Sequence, residues 1–174
     1  DAAIGRFAAG GALSWQGQLA GGGFDTIDDV VIHGSGVAVV GHFGGTLDAL
    51  TGAGADCGDS FSGDGRDGIV LGYSDSGCPD WSVQLTGADD RFTDLTSDGS
   101  QLFVTGRIEQ ALMVGGATLL SGAQLDTGVV VALSPTLEPS WIRALGTAAC
   151  TSGCPVTLDP ARPWLALSGS YAGT

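Results

Sequence analysis

Three tryptophans set the frame for this chain. Trp15, Trp81 and Trp141 are each followed four residues later by a leucine (Leu19, Leu85, Leu145). Each is preceded at 14, 14 and 15 residues by an aspartate (Asp1, Asp67, Asp126). Between Asp and Trp every copy carries a short apolar run, residues 4–7, 69–73 and 129–133, and then a turn. After each Trp come two further strand-like patterns around a polar turn. The second of these contains Gly41, Gly106 or Gly169, which lie 26, 25 and 28 residues beyond the Trp. A repeat of this size is one supersecondary unit that buries its apolar face against its neighbours. The Trp spacing divides the 174 residues into units of approximately 1–66, 67–125 and 126–174, all within the size of one domain.

The runs are short, rich in β-branched residues and bounded by Gly, Asp, Ser and Pro, which is the signature of strands. No 3.6-residue apolar period persists over three turns, and Gly115–Gly116 argues against a helix in the least regular stretch. Gly, at 31 residues, supplies the positive φ that tight hairpins require. Four short strands per unit, joined by short turns, predict an antiparallel meander. The expected fold class is therefore all-β: a β-propeller of four-stranded antiparallel blades, three blade equivalents in this chain, with a linear β-solenoid as the alternative. The excess length over common propeller repeats is expected in two long loops, 44–66 and 110–125.

Charge narrows the partners. Nineteen acidic against six basic residues give a net charge of -13, which disfavours nucleic acid and anionic membrane surfaces. No apolar stretch approaches the ~20 residues of a membrane span, so no membrane insertion is expected. Cys57, Cys78, Cys150 and Cys154 form an even set. Local pairing favours Cys57–Cys78 and Cys150–Cys154, with a structural zinc site as the alternative. Disulfides imply an oxidising compartment, hence a secreted or cell-surface protein. The first residue is Asp, so the sequence reads as a processed form or a piece of a longer chain.

The segments DGIVLGYSDSGCPDWSVQLTG (67–87) and ADDRFTDLTSDGSQLFVTG (88–106), with their counterparts in the other copies, resemble a known family. They are similar to the Trp- and Gly-rich bacterial β-propeller repeats of the SBBP kind, abundant in secreted proteins of myxobacteria and related lineages. The resemblance covers essentially the whole chain and implies a propeller from a large surface protein, with no specified activity. The family's acidic pair before the first strand of a unit is matched by Asp89–Asp90, loosely by Asp25 with Asp28–Asp29, and not in the third copy. That departure argues against a metal or catalytic site repeated in every unit.

The chain begins with the third and fourth strands of a unit and ends with the first and second. Residues 1–19 are thus the complement of residues 154–174, yet three blades are too few for a ring. Three arrangements remain: a fragment of a longer propeller, two chains forming one six-bladed ring, or a solenoid. Partners therefore include a protein or glycan ligand, a second copy, or the remainder of a longer chain.

Function in rigid all-β scaffolds sits on loops. The candidate binding residues cluster at the long-loop end: Asp25, Asp28, Asp29, Asp56, Asp59, Asp64, Asp89, Asp90 and Arg91, with Trp164 as the odd aromatic of the set. No cofactor motif is present. Asp56, Asp59, Asp64 and Asp67 are weak calcium candidates, since Ca²⁺ takes six to eight oxygens, but Asx-turns and solvated loop carboxylates account for them better. Paired carboxylates can serve glycosidases as acid and base. The candidate functions are accordingly a non-enzymatic binding or scaffold module, a polysaccharide hydrolase or lyase, and a structural subunit of a surface assembly. Catalytic residues are assigned to none of these acids, because no nucleophile, zinc or phosphate-loop motif accompanies them.

Overall fold

The computed structural model describes residues 1–114, 116–121, 127–147, 154–159 and 164–168. Every regular element among them is a strand, and every pairing between strands is antiparallel. The chain opens with a strand pair, β1 (Ala2–Phe7) and β2 (Leu13–Gly21). A first four-stranded meander follows: β3 (Thr26–His33), the first half of β4 (Gly36–Thr51), the second half of β5 (Asp56–Tyr73) and β6 (Pro79–Thr86). A second meander is built from β7 (Arg91–Ser97), β8 (Leu102–Ile108), β11 (Thr127–Leu133) and β12 (Pro139–Thr147). Between β8 and β11 lies a small hairpin, β9 (Leu112–Val114) and β10 (Ala117–Leu120). The last pair is β13 (Val156–Asp159) and β14 (Trp164–Leu167).

The repeat expected from the tryptophans is a repeat of register. Trp15, Trp81 and Trp141 pair with Arg6, Gly72 and Ala132, and the ladder slips by one residue immediately after each of these pairs. Val30, Leu95 and Val156 likewise pair with Val39, Val104 and Leu167. A one-residue slip would invert every side chain, so shared bulges keep the same face inward in each copy.

Alternation along these strands makes two cores. Val39, Ile69, Leu71 and Tyr73 face β1 and β2 and pack with Trp15, Leu19 and Phe43. Ala38, Val40, Val70, Val83 and Leu85 face the opposite way, onto Phe92, Leu95, Leu102, Val104, Val129, Val131 and Leu133 of the second meander. The central strands of the first meander are thus buried on both faces, which is why they read as unbroken apolar runs. Beyond the second meander, β13 packs on β7. There the Thr105 hydroxyl donates to the Cys154 carbonyl.

The long segments expected as loops are largely strand. Residues 47–51 and 56–62 form the distal half of the β4–β5 hairpin, whose β4 arm turns back to pair with β2 (Leu47↔Gly21 to Thr51↔Gly17). The β9–β10 hairpin makes the same move, pairing Val114 and Met113 with Leu85 and Thr86 of β6. Each reaches the Trp-bearing strand that comes before it in the chain, β2 or β6, and covers its edge. Both depart through a left-handed residue at the equivalent position, Gly45 (φ 76°) and Gln110 (φ 68°). Dense Gly and Asp hide the strand signal in 56–64, where intermediate burial at Cys57, Asp59, Phe61 and Gly63 alternates with exposure.

Cys57 and Cys78 form a disulfide from the β4–β5 arm to the start of β6. Cys154 is also disulfide-bonded, and its expected partner Cys150 lies outside the described residues. Among the described residues no helix is long and apolar enough to cross a membrane.

Candidate functional site at the acidic junctions

The acids concentrate where one meander meets the next, and they repeat. β3 and β7 carry the same bulge, so Asp25, Asp28 and Asp29 correspond to Asp90, Thr93 and Asp94. Asp29 accepts a hydrogen bond from the Leu95 amide of the next unit at 3.1 Å. Asp94 accepts one from the Val156 amide of the unit after that. The Asp29 carboxyl also lies against that of Asp94. Burial, and then that contact with Asp29, push the Asp94 carboxyl up to about 6. This pair is a ladder of ties between successive first strands. Pro155 stands at the corresponding place in the third copy and ends it.

A second pair lies at the start of the third strand. The Gly21 amide donates to Asp1 and the Gly87 amide to Asp67, at 3.4 and 3.1 Å. Asp25 and Asp90, both buried, pack against the same two glycines: a Cβ on either would strike the aspartate's Oδ2. Asp90 is 0% exposed. Its Oδ1 accepts from the Glu109 amide at 3.0 Å, while its Oδ2 has no hydrogen-bond partner. Burial, reinforced by Asp67, Asp89 and Glu109, pushes this carboxyl up to about 7. Asp67 is raised as well, by burial first and by Asp64 beside it.

The remaining candidates are engaged separately. Asp89 binds Arg66 and Arg107 at 3.2 and 3.3 Å. Asp28 takes the His42 ring and the Thr26 hydroxyl at 2.9 and 2.8 Å. Burial works against the Asp28 charge, but those two hydrogen bonds and the charges of His42 and Arg91 together hold its pKa below the ordinary carboxylate value. Asp56 closes an Asx-turn with the Gly58 amide at 2.7 Å. The four calcium candidates are strung along β5: Asp56 and Asp64 exposed, Asp59 half-buried and Asp67 buried. Among the described residues no group of three or more His, Cys, Asp or Glu side chains is placed to hold a metal ion. Trp164 opens β14 opposite Asp159. His33 and His42 each have a local partner, Ser97 at 2.8 Å and Asp28.

The tryptophans occupy corresponding places. Trp15 stacks on Tyr73 at 5.6 Å and donates to the Ser74 carbonyl at 2.9 Å. Trp81 lies over Gly72 and packs against the core between the meanders. Trp141 sits 6.0 Å from Phe103 on the outer face of the second meander.

The sequence reading did not pick out an apolar groove of about 420 Å³ between β1 and β3, lined by Ile4, Phe7, Trp15, Val30, Val37 and Val39. Its signal was available in the alternation Val30-x-Ile32, which aligns with the buried Leu95. No protein-family model matches the chain, and a search of curated proteins finds no match.

Proposed function

We propose that this chain is a run of β-propeller blades from a secreted protein, related in kind to the SBBP-type repeats, and that it works as a non-enzymatic scaffold and binding module. The observation that carries this reading is the shared register of the four-stranded meanders, down to the position of each bulge, with sheets stacked face to face. Twisted four-stranded sheets that repeat in this manner around an axis form a propeller. A disulfide on the β4–β5 arm suits an oxidising, extracellular setting. The acids support the non-catalytic reading, since Asp29, Asp67, Asp90 and Asp94 accept backbone amides at the seams between units. Ligands of such a module are other proteins, glycans, or further units of its own kind. Small-angle scattering tests the architecture: a compact wedge of sheets arranged about an axis is expected of one chain, and a rod would establish the solenoid instead.

One observation favours a second reading. A raised carboxyl beside a second one, Asp94 with Asp29, is the arrangement a polysaccharide hydrolase or lyase would use for acid–base work. A turnover screen on polysaccharides, with Asp94→Asn as control, separates the two. Turnover that vanishes in the variant would establish the enzyme.

A further inference from the structure

We propose that Asp67 and Asp90, together with the main-chain carbonyl of Ala111, form a site for a divalent cation of the calcium class at the seam between the two meanders. The inference goes beyond the binding-module reading and does not depend on how the units close.

Three oxygens converge on one glycine. Asp67 Oδ1 accepts the Gly87 amide at 3.1 Å. Around the same residue, Asp90 Oδ2 and the Ala111 carbonyl oxygen lie 2.0 and 2.7 Å from the place a Cβ would take, so these two acceptors are near neighbours. Asp67 belongs to β5, Gly87 follows β6, Asp90 precedes β7 and Ala111 precedes β9. Four separate segments of chain therefore meet at this point.

The acceptors there lack donors. Asp67 and Asp90 are 1% and 0% exposed. Asp90 Oδ2 has no hydrogen-bond partner. Among the described residues no ion pair reaches either carboxyl, and Arg66 and Arg107 are both held by Asp89. Asp89 and Glu109 add negative charge around Asp90, and Asp64 does so beside Asp67. A buried carboxylate oxygen without a donor is costly, and in a native protein it calls for a bound proton, water or ion. A proton or a water answers one oxygen. A divalent cation answers both carboxyls and the carbonyl together.

The first copy repeats the set. A Cβ on Gly21 would stand 2.8 Å from Asp25 Oδ2 and 2.1 Å from the carbonyl oxygen of Thr46, the counterpart of Ala111. Neither Asp25 oxygen has a hydrogen-bond partner, and the Asp1 ammonium lies 3.8 Å from Oδ2. The proposal is confined to the second copy, where no such cation stands.

The donors are all oxygen, which suits a hard cation. The two carboxyls fall short of a three-side-chain cluster, and the main-chain carbonyl and water complete the shell. Ca²⁺ takes six to eight oxygens in loose geometry, whereas Mg²⁺ demands a near-ideal octahedron. A concavity of about 320 Å³ lined by Ser62, Asp64, Asp67, Thr86, Gly87 and Met113 gives the waters room. The ion would tie the end of one sheet to the start of the next.

The test titrates the chain, freed of metal by chelation, with calcium chloride alone and follows heat and thermal unfolding. Saturable binding with a Kd of about 10⁻⁴–10⁻³ M is expected, with Tm rising by roughly 5 °C at about 10 mM calcium. Magnesium at the same concentration gives a smaller rise. Asp67→Asn and Asp90→Asn each weaken binding by about ten-fold or more, while Asp56→Asn, on the exposed arm, leaves it unchanged. In chelator Asp90→Asn relieves an unpartnered carboxyl; in calcium it removes a ligand. In the parent itself, calcium shifts the amide resonances of Gly87 and Glu109, which donate to these two carboxyls. A folded parent with no calcium heat and the same Tm in chelator and in calcium overturns the site. So does binding that persists undiminished in both Asn variants, or resonance shifts that bypass Gly87 and Glu109.

Discussion

Asp90→Asn should make this protein more stable at pH 8 and progressively less so at lower pH. The carboxyl is fully buried, keeps one hydrogen bond from the Glu109 amide, and has its other oxygen packed on Gly87 without a partner. Its folded pKa is about 7, against about 3.9 in an unfolded chain. With the folded value above the unfolded one, the folded state holds the proton more tightly. The contribution to stability is therefore complete below the unfolded pKa and is lost as pH rises through 7. Linkage puts the accumulated loss at roughly 1.5 kcal/mol by pH 5 and about 4 kcal/mol by pH 8, where the buried group is ionised. Asparagine keeps the Oδ1 acceptor and cannot ionise. The advantage of the variant should thus grow by about 2.5 kcal/mol between pH 5 and pH 8, or roughly 5–10 °C in Tm for a chain of this size. Calorimetry of both proteins across that range measures it. A variant that is destabilised by the same amount at every pH would refute the reasoning, because Asp90 would then act only as a hydrogen-bond acceptor in a hydrated site.

Three further outcomes follow from the same contacts. Gly72→Ala would place a methyl 1.9 Å from the Trp81 ring, displacing the indole from the core between the meanders; urea unfolding should show a loss of about 1–3 kcal/mol. Replacing Cys57 and Cys78 by Ser opens a link across a sequence separation of 21 and should lower stability by about 3 kcal/mol, read as a fall in the urea midpoint. Asp94→Asn removes a carboxyl raised to about 6 by burial and by Asp29. Its stability relative to the parent should climb as pH rises from 4 to 7 and then level off, seen as a narrowing of the parent's acid-side stability advantage in Tm against pH.

The all-β character and the antiparallel pairing of short strands were legible because Trp, Leu and Gly recur in step and because period-2 alternation with Gly-bounded runs has no helical solution. The Cys57–Cys78 bond was legible from proximity in sequence. Other features were not. Residues 44–66 read as a loop because Gly and Asp signal turns locally, whereas pairing with β2 supplies the partner that makes them strand. Asp67 read as a weak calcium candidate and Asp90 as a binding acid at the loop end, yet both are buried where the end of one sheet meets the start of the next. Asp94 and Asp29, 65 residues apart in sequence, come side by side only because two bulges fall in register.

Local chemistry therefore decided the short apolar strands and which face of each turns inward, since backbone preference and apolar alternation act over a few residues, while the Gly- and Asp-rich arms became strand only through their partners. Stacking decided what those faces meet: which carboxyls lose water, which leucines are covered, and which valine and isoleucine on β3 are left bare. Burial and its electrostatic consequences depend on neighbours brought from a distance, and only the assembled sheets supply them.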